Sequence, residues 1–142
     1  MSSPIQVPVL TLAGEIDKVD LLDPGLAPNT VIDVSSPFTV HVEWSVSGSS
    51  LPYLGGEWVV RALVESMGTG FEGQIGATSV VPLNGSSSYM TNIVVPAFAL
   101  ATPAPDTDTV YKLVVLVAHR QFGLKTQIAG FGLGVYFEIQ EP

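Results

Sequence analysis

From Phe38 to Val46 the chain alternates without a break. Phe38, Val40, Val42, Trp44 and Val46 fall on one parity, and Thr39, His41, Glu43 and Ser45 on the other. Strand side chains change face at every residue, so this pattern predicts a β-strand with one face in a core and one in water. Wound into a helix, the same apolar residues would spread around its whole circumference. The alternation returns from Trp58 to Met67, with Trp58, Val60, Ala62 and Val64 inward and Val59, Arg61, Leu63 and Glu65 on the other face.

Weaker signals extend the pattern. Ile5 to Leu12 predicts a first strand, which Pro8 confines to a sheet edge. Thr30 to Val34, Gly73 to Val81 and the β-branched run Tyr89 to Val95 predict three more. Val110 to Arg120 is apolar on both parities, which predicts a central strand covered on both sides. Ile128 to Ile139 predicts the last strand, with Ala129, Phe131, Leu133, Val135, Phe137 and Ile139 inward and Gly130, Gly132 and Gly134 on the opposite face. Turn clusters such as Asp23-Pro24-Gly25, Ser47-Gly48-Ser49-Ser50 and Asn84-Gly85-Ser86 separate these segments. No window has helical periodicity. The expectation is one all-β domain over residues 1–142, an antiparallel two-sheet sandwich of about seven to eight strands, immunoglobulin-like or a related Greek key. Residues 1–37 would hold the N-terminal strand and an acidic loop region, and residues 38–139 the main sandwich.

Around Trp58 and Tyr111 the chain resembles immunoglobulin-like sandwich domains at the level of fold. In such domains an inward Trp on the third main strand packs across the core, and Trp58 would occupy that place. Tyr111-Lys112-Leu113, preceded by Asp106 and Asp108, is similar to a tyrosine corner, where the hydroxyl clips a neighbouring loop. Val42 and Leu113 stand where antibody domains carry their paired cysteines. The resemblance implies that the third, sixth and last strands share a sheet. It implies no activity.

Composition excludes several function classes. The chain has 142 residues, with 13 Asp and Glu against 5 Lys and Arg, a formal net charge of −8. Nucleic-acid and anionic-membrane binding need clustered cations, so neither is expected, and no apolar run is long enough for membrane insertion. There are no cysteines, hence no disulfide, thiolate nucleophile or cysteine-held zinc. The N-terminal residues lack the basic and apolar segments of a secretory signal. A cytoplasmic protein is therefore expected, extracellular or particle-associated only if processed or exported otherwise.

Few residues are arranged as chemistry would require. His41 and Glu43 share the outer face of one strand, as a base and its orienter would, yet a polar outer face explains them as well. His119 beside Arg120 reads as a strand terminus. Glu15, Asp17, Asp20 and Asp23 could converge with Asp106 and Asp108 on a hard cation such as Ca²⁺ if their loops share one end of the sandwich. A solvated acidic surface is the favoured reading of them, and no metal or other cofactor is expected. Gly130-Phe131-Gly132-Leu133-Gly134 lies inside a strand, so it does not make the phosphate-binding turn of a dinucleotide fold. The chain is therefore read as a non-enzymatic subunit.

With charged residues only 13% of the chain, the outer faces are poorly defended against contact. Val59 and Leu63 oppose the inward Trp58 set, Val114 and Leu116 oppose the Leu113 set, and the three glycines join the last strand. Together, Val59, Leu63, Val114, Leu116, Gly130, Gly132 and Gly134 predict one apolar outer face that docks a second copy or another protein. The alternative is a loop-based module for carbohydrate or Ca²⁺, using Tyr53 and the acidic segments.

Overall fold

A computed structural model describes residues 3–6, 13–49, 51, 54–68, 70–100, 109–122 and 124–140. Among them there is no α-helix. The strands are β1 (Ser3–Gln6), β2 (Ala13–Leu22), β3 (Val31–Asp33), β4 (Phe38–Ser47), β5 (Glu57–Ser66), β6 (Gly73–Pro82), β7 (Ser88–Val95), β8 (Thr109–Gln121) and β9 (Leu124–Gln140). Their ladders follow the order β6-β5-β8-β9-β1-β2-β4-β7, with β3 also against β9. The sheet is mixed, because β3 runs parallel to β9 while the other ladders are antiparallel. It is also open. The two end strands share no ladder, although they touch through the Ser79 and Thr91 hydroxyls at 2.5 Å.

The alternating segments become the core. Val40, Val42 and Trp44 of β4 and Trp58, Val60 and Ala62 of β5 are fully buried in one cluster. Trp44 and Trp58 meet edge to face at 6.1 Å, with Tyr89 stacked on Trp44 at 6.0 Å. Towards the other end, Phe137 packs between Phe38 at 5.8 Å and Tyr111 at 5.7 Å. Such aromatic pairs bury large areas and add orientation-dependent attraction to the hydrophobic term. Tyr111 carries its ring under the β5–β6 loop. A Cβ at Gly70 would collide with its hydroxyl.

Four sequence expectations change, the last of them in β9. The acidic region before Phe38 is not a loop throughout, since β2 occupies Ala13–Leu22 and pairs with β4 along its length. A register shift between Ile16 and Lys18 turns Ile16 and Leu21 both inward, although they are an odd five positions apart, so simple alternation misses the strand. The first strand is β1, Ser3–Gln6, and the rest of the expected Ile5–Leu12 segment lies outside the described residues. Strand β8 is central, between β5 and β9, but it is covered on one side only, since Leu116 on its outer side is 37% exposed.

The last strand needs the most correction. Lys112 pairs with Tyr136 and Val114 with Leu133, so β9 carries one extra residue there. Such a bulge reverses the facing of everything beyond it. Phe137 and Ile139 point into the core as expected, but Phe131 is 59% exposed on the outside. Gly130 and Gly132, opposite the buried Val117 and Val115, lie on the inner face and not on the outer one. A Cβ at Gly130 would stand 2.7 Å from the Pro4 carbonyl oxygen, and one at Gly132 3.1 Å from Ile16. At the bulge itself, a Cβ at Gly134 would meet the Leu113 side chain at 2.9 Å. The glycines make room for the chain's own β1, β2 and β8, not for a second molecule.

Candidate interaction surface

The outer side of β5, β8 and β9 is set by register. Val59 lies opposite Ala118, Arg61 opposite Leu116, and Leu63 opposite Val114. Ala118 continues to Ala129 and Leu116 to Phe131. Directly opposite residues share a face, so these side chains form an apolar field with a single cation at its centre. Val59 is buried beneath it, Leu63 and Val114 are half-buried, and Phe131 and Leu116 stand up from it. A shallow cleft of about 560 Å³ opens here, with Val59 on its floor and Pro4, Arg61, Leu116 and Phe131 around it.

Charges sit at both ends of this field. At one end Glu57 accepts from the Arg120 guanidinium, Nε at 2.7 Å and a terminal nitrogen at 2.5 Å. At the other, Glu65 lies opposite Lys112, with Tyr136 next to Lys112 on β9. Among the described residues neither Arg61 nor Glu65 takes part in an ion pair. An apolar centre with a polar rim is the usual anatomy of a protein contact surface.

Four of the residues expected on this face are there: Val59, Leu63, Val114 and Leu116. Gly130, Gly132 and Gly134 are not part of it, for the steric reasons above. Arg61 and Tyr136 were recognisable by parity as outward residues, whereas Phe131 was hidden by the β9 bulge.

The outer side of β2, β4 and β7 is different in kind. His41 lies opposite both Asp20 and Asn92. Its Nδ1 is 2.6 Å from the Asn92 amide oxygen and its Nε2 2.7 Å from a Glu43 carboxylate oxygen. Two accepting oxygens suit the doubly protonated ring. Partial burial alone would lower the His41 pKa, but the hydrogen bonds to Asn92 and Glu43 outweigh it and the net shift is upward. Glu43 is shifted below the ordinary carboxylate range, chiefly by the same bond to His41. Lys18 and Asp20 pair beside them at 3.3 Å. With both ring nitrogens bonded, His41 ties β4 to β7 across the ladder.

Asp23 closes its own turn, its carboxylate accepting from the Gly25 and Ala27 amides at 2.9 and 3.0 Å. Asp17 and Asp20 are on β2, while Asp106, Asp108 and Tyr53 lie outside the described residues. Among the described residues no three His, Asp or Glu side chains converge as a metal site would require. His119 is buried edge-on to Trp58 and donates from Nε2 to the Gly55 carbonyl at 2.6 Å, so it anchors the loop before β5. No helix of the described chain is long and apolar enough to cross a membrane.

Compared with known proteins, the chain matches no family model and no curated sequence.

Proposed function

We propose that this protein is a non-enzymatic assembly subunit that associates with a second copy of itself through the outer face of β5, β8 and β9. The observation that carries this reading is the apolar field of Leu63, Val114, Leu116 and Phe131 between charged ends. Water is a poor partner for that field, and apolar contact with another surface stabilises by roughly 25 cal/mol per Å² removed from water. In the same reading the chain is a two-layer sandwich, β6-β5-β8-β9 over β1-β2-β4-β7, with β1 bridging the layers. The Trp44–Trp58 and Phe38–Phe137 contacts across the core support this arrangement.

Three strands about 4.8 Å apart and nine residues at about 3.3 Å each give a face of roughly 430 Å². That is smaller than the ~800 Å² per partner of a standard stable interface, so association in the micromolar range is expected. The test is mass against concentration by sedimentation velocity. The wild type should move from one 14.9 kDa chain towards two as concentration rises, and Leu116→Arg should hold it at one. A wild type that stays at one chain to millimolar concentration would overturn the reading.

A further inference from the structure

The outward row of β5 reads Glu57, Val59, Arg61, Leu63, Glu65, and this order limits how two such faces can meet. A purely apolar cover would bury the Arg61 guanidinium unpaired, which is costly, so the occupant must bring a carboxylate to it. In a twofold dimer of stacked faces, the axis lies in the interface and each residue meets its mirror position along the row. An axis at Arg61 would set guanidinium against guanidinium. An axis at Val59 would offer Glu57, already engaged by Arg120. An axis at Leu63 brings Glu65, which has no ion-pair partner among the described residues, onto Arg61 in both directions.

Resting on the self-association reading above, we propose that the dimer axis crosses β5 at Leu63, perpendicular to the strand, and that Arg61 and Glu65 exchange ion pairs between copies. A second feature supports the same axis independently. Phe131 is level with Arg61 through Leu116, and Tyr136 is level with Glu65 through Lys112. The rotation therefore sets Phe131 against Tyr136 of the second copy, both well exposed in the single chain. It also lays the Lys112 stem over Leu116 and leaves the ammonium at the rim, as long cationic side chains favour. One operation thus covers the two protruding apolar groups and satisfies the central charge.

Charge exchange tests this on the full chain. Arg61→Glu and Glu65→Arg should each weaken the dimer by about 30-fold or more, as loss of one partner of a desolvated pair does. The double reversal should return it to within a few-fold of the wild type, because the swapped pair is again complementary. No rescue, with Leu116→Arg still dispersing the dimer, would overturn the axis and leave the face reading intact. A wild type that does not dimerise, or a dimer indifferent to Leu116→Arg, would overturn both. Crosslinking gives an independent measurement, since the chain has no cysteine. Leu63→Cys, on the axis, should couple to itself through a short bis-maleimide, whereas Glu57→Cys should not. The opposite result would also sink the axis.

Discussion

The two outer faces of this sheet are built from the same alternating pattern and end in opposite physical states. On β2, β4 and β7 the outward polar groups find each other: His41 with Asn92 and Glu43, Lys18 with Asp20. On β5, β8 and β9 the outward positions are mostly apolar, and the central cation has no ion-pair partner among the described residues. A face whose polar groups are mutually satisfied gains little from a partner. One that presents Leu116, Phe131 and a solitary guanidinium gains from both burial and charge pairing. Alternation alone says where the core is; the occupants of the wet parity say whether the other side remains wet.

The largest effect should come from crossing between the two sides of one strand. Gly130→Val places a side chain where the Pro4 carbonyl oxygen is 2.7 Å and the Ile5 Cα 3.0 Å from its Cβ. Both obstacles are backbone, so relief requires moving β1, and a loss of about 2–3 kcal/mol in urea unfolding is expected. Its neighbour Phe131, on the outside, should tolerate Thr with a change of about 0.5 kcal/mol or less in the isolated chain, while self-association weakens. Equal stability losses at the two positions would contradict the facing assigned to β9.

Next in size is a matched pair of arginines. Leu116→Arg puts a charge in the apolar field and should weaken association by about 2 kcal/mol or more. Val94→Arg puts the same charge on the opposite outer face, on β7, where Val94 already stands 63% exposed, and should leave the sedimentation mass unchanged. If both arginines dissolve the dimer equally, net charge and not the particular face is responsible.

Much of this contrast was visible in the sequence, and what was not has a common cause. The unbroken parity of Phe38–Val46 and Trp58–Val64 identified the core of β4 and β5 and the outward set Val59, Arg61, Leu63 and Glu65. Where a ladder slips, parity no longer reports facing. The shift at Ile16–Lys18 made β2 look like an acidic loop, and the one beyond Leu133 put Phe131 on the wrong side and the glycines with it. A bulge depends on how neighbouring strands pair, which a single strand's pattern does not contain. The His41–Glu43 spacing was readable, but Asn92 arrives from a strand fifty-one residues away.

A smaller effect is expected at the β8–β9 hairpin. Phe122 adopts φ 53° and is 94% exposed at the tip, so it bears left-handed strain with little packing in return. Phe122→Asn suits that conformation and should stabilise the chain by about 1 kcal/mol in thermal unfolding, without altering association. A loss of stability would show that the ring makes a contact that matters in solution.

The smallest effect isolates the polar face by pH. The His41 pKa is raised by folding, so its contribution is fully present below the ordinary value near 6.5 and is lost as pH rises through the higher folded value. Glu43 is lowered, so its contribution is present above about 4.5 and is lost as pH falls through the folded value. The tie is therefore strongest between the lowered carboxylate and the raised imidazole values. His41→Asn should cost a Tm loss of about 1–2 °C at pH 6, shrinking as pH rises through the raised folded value, because exposed pairs of this kind contribute little. Arg61 and Glu65 lie on the other outer face, opposite Leu116 and Lys112 and away from His41, so the dimerisation constant of the same variant should follow the wild type across this pH range. If His41→Asn shifts association with pH as well, the two faces are coupled through the sheet, and the independence drawn from their separate hydrogen-bond networks is wrong.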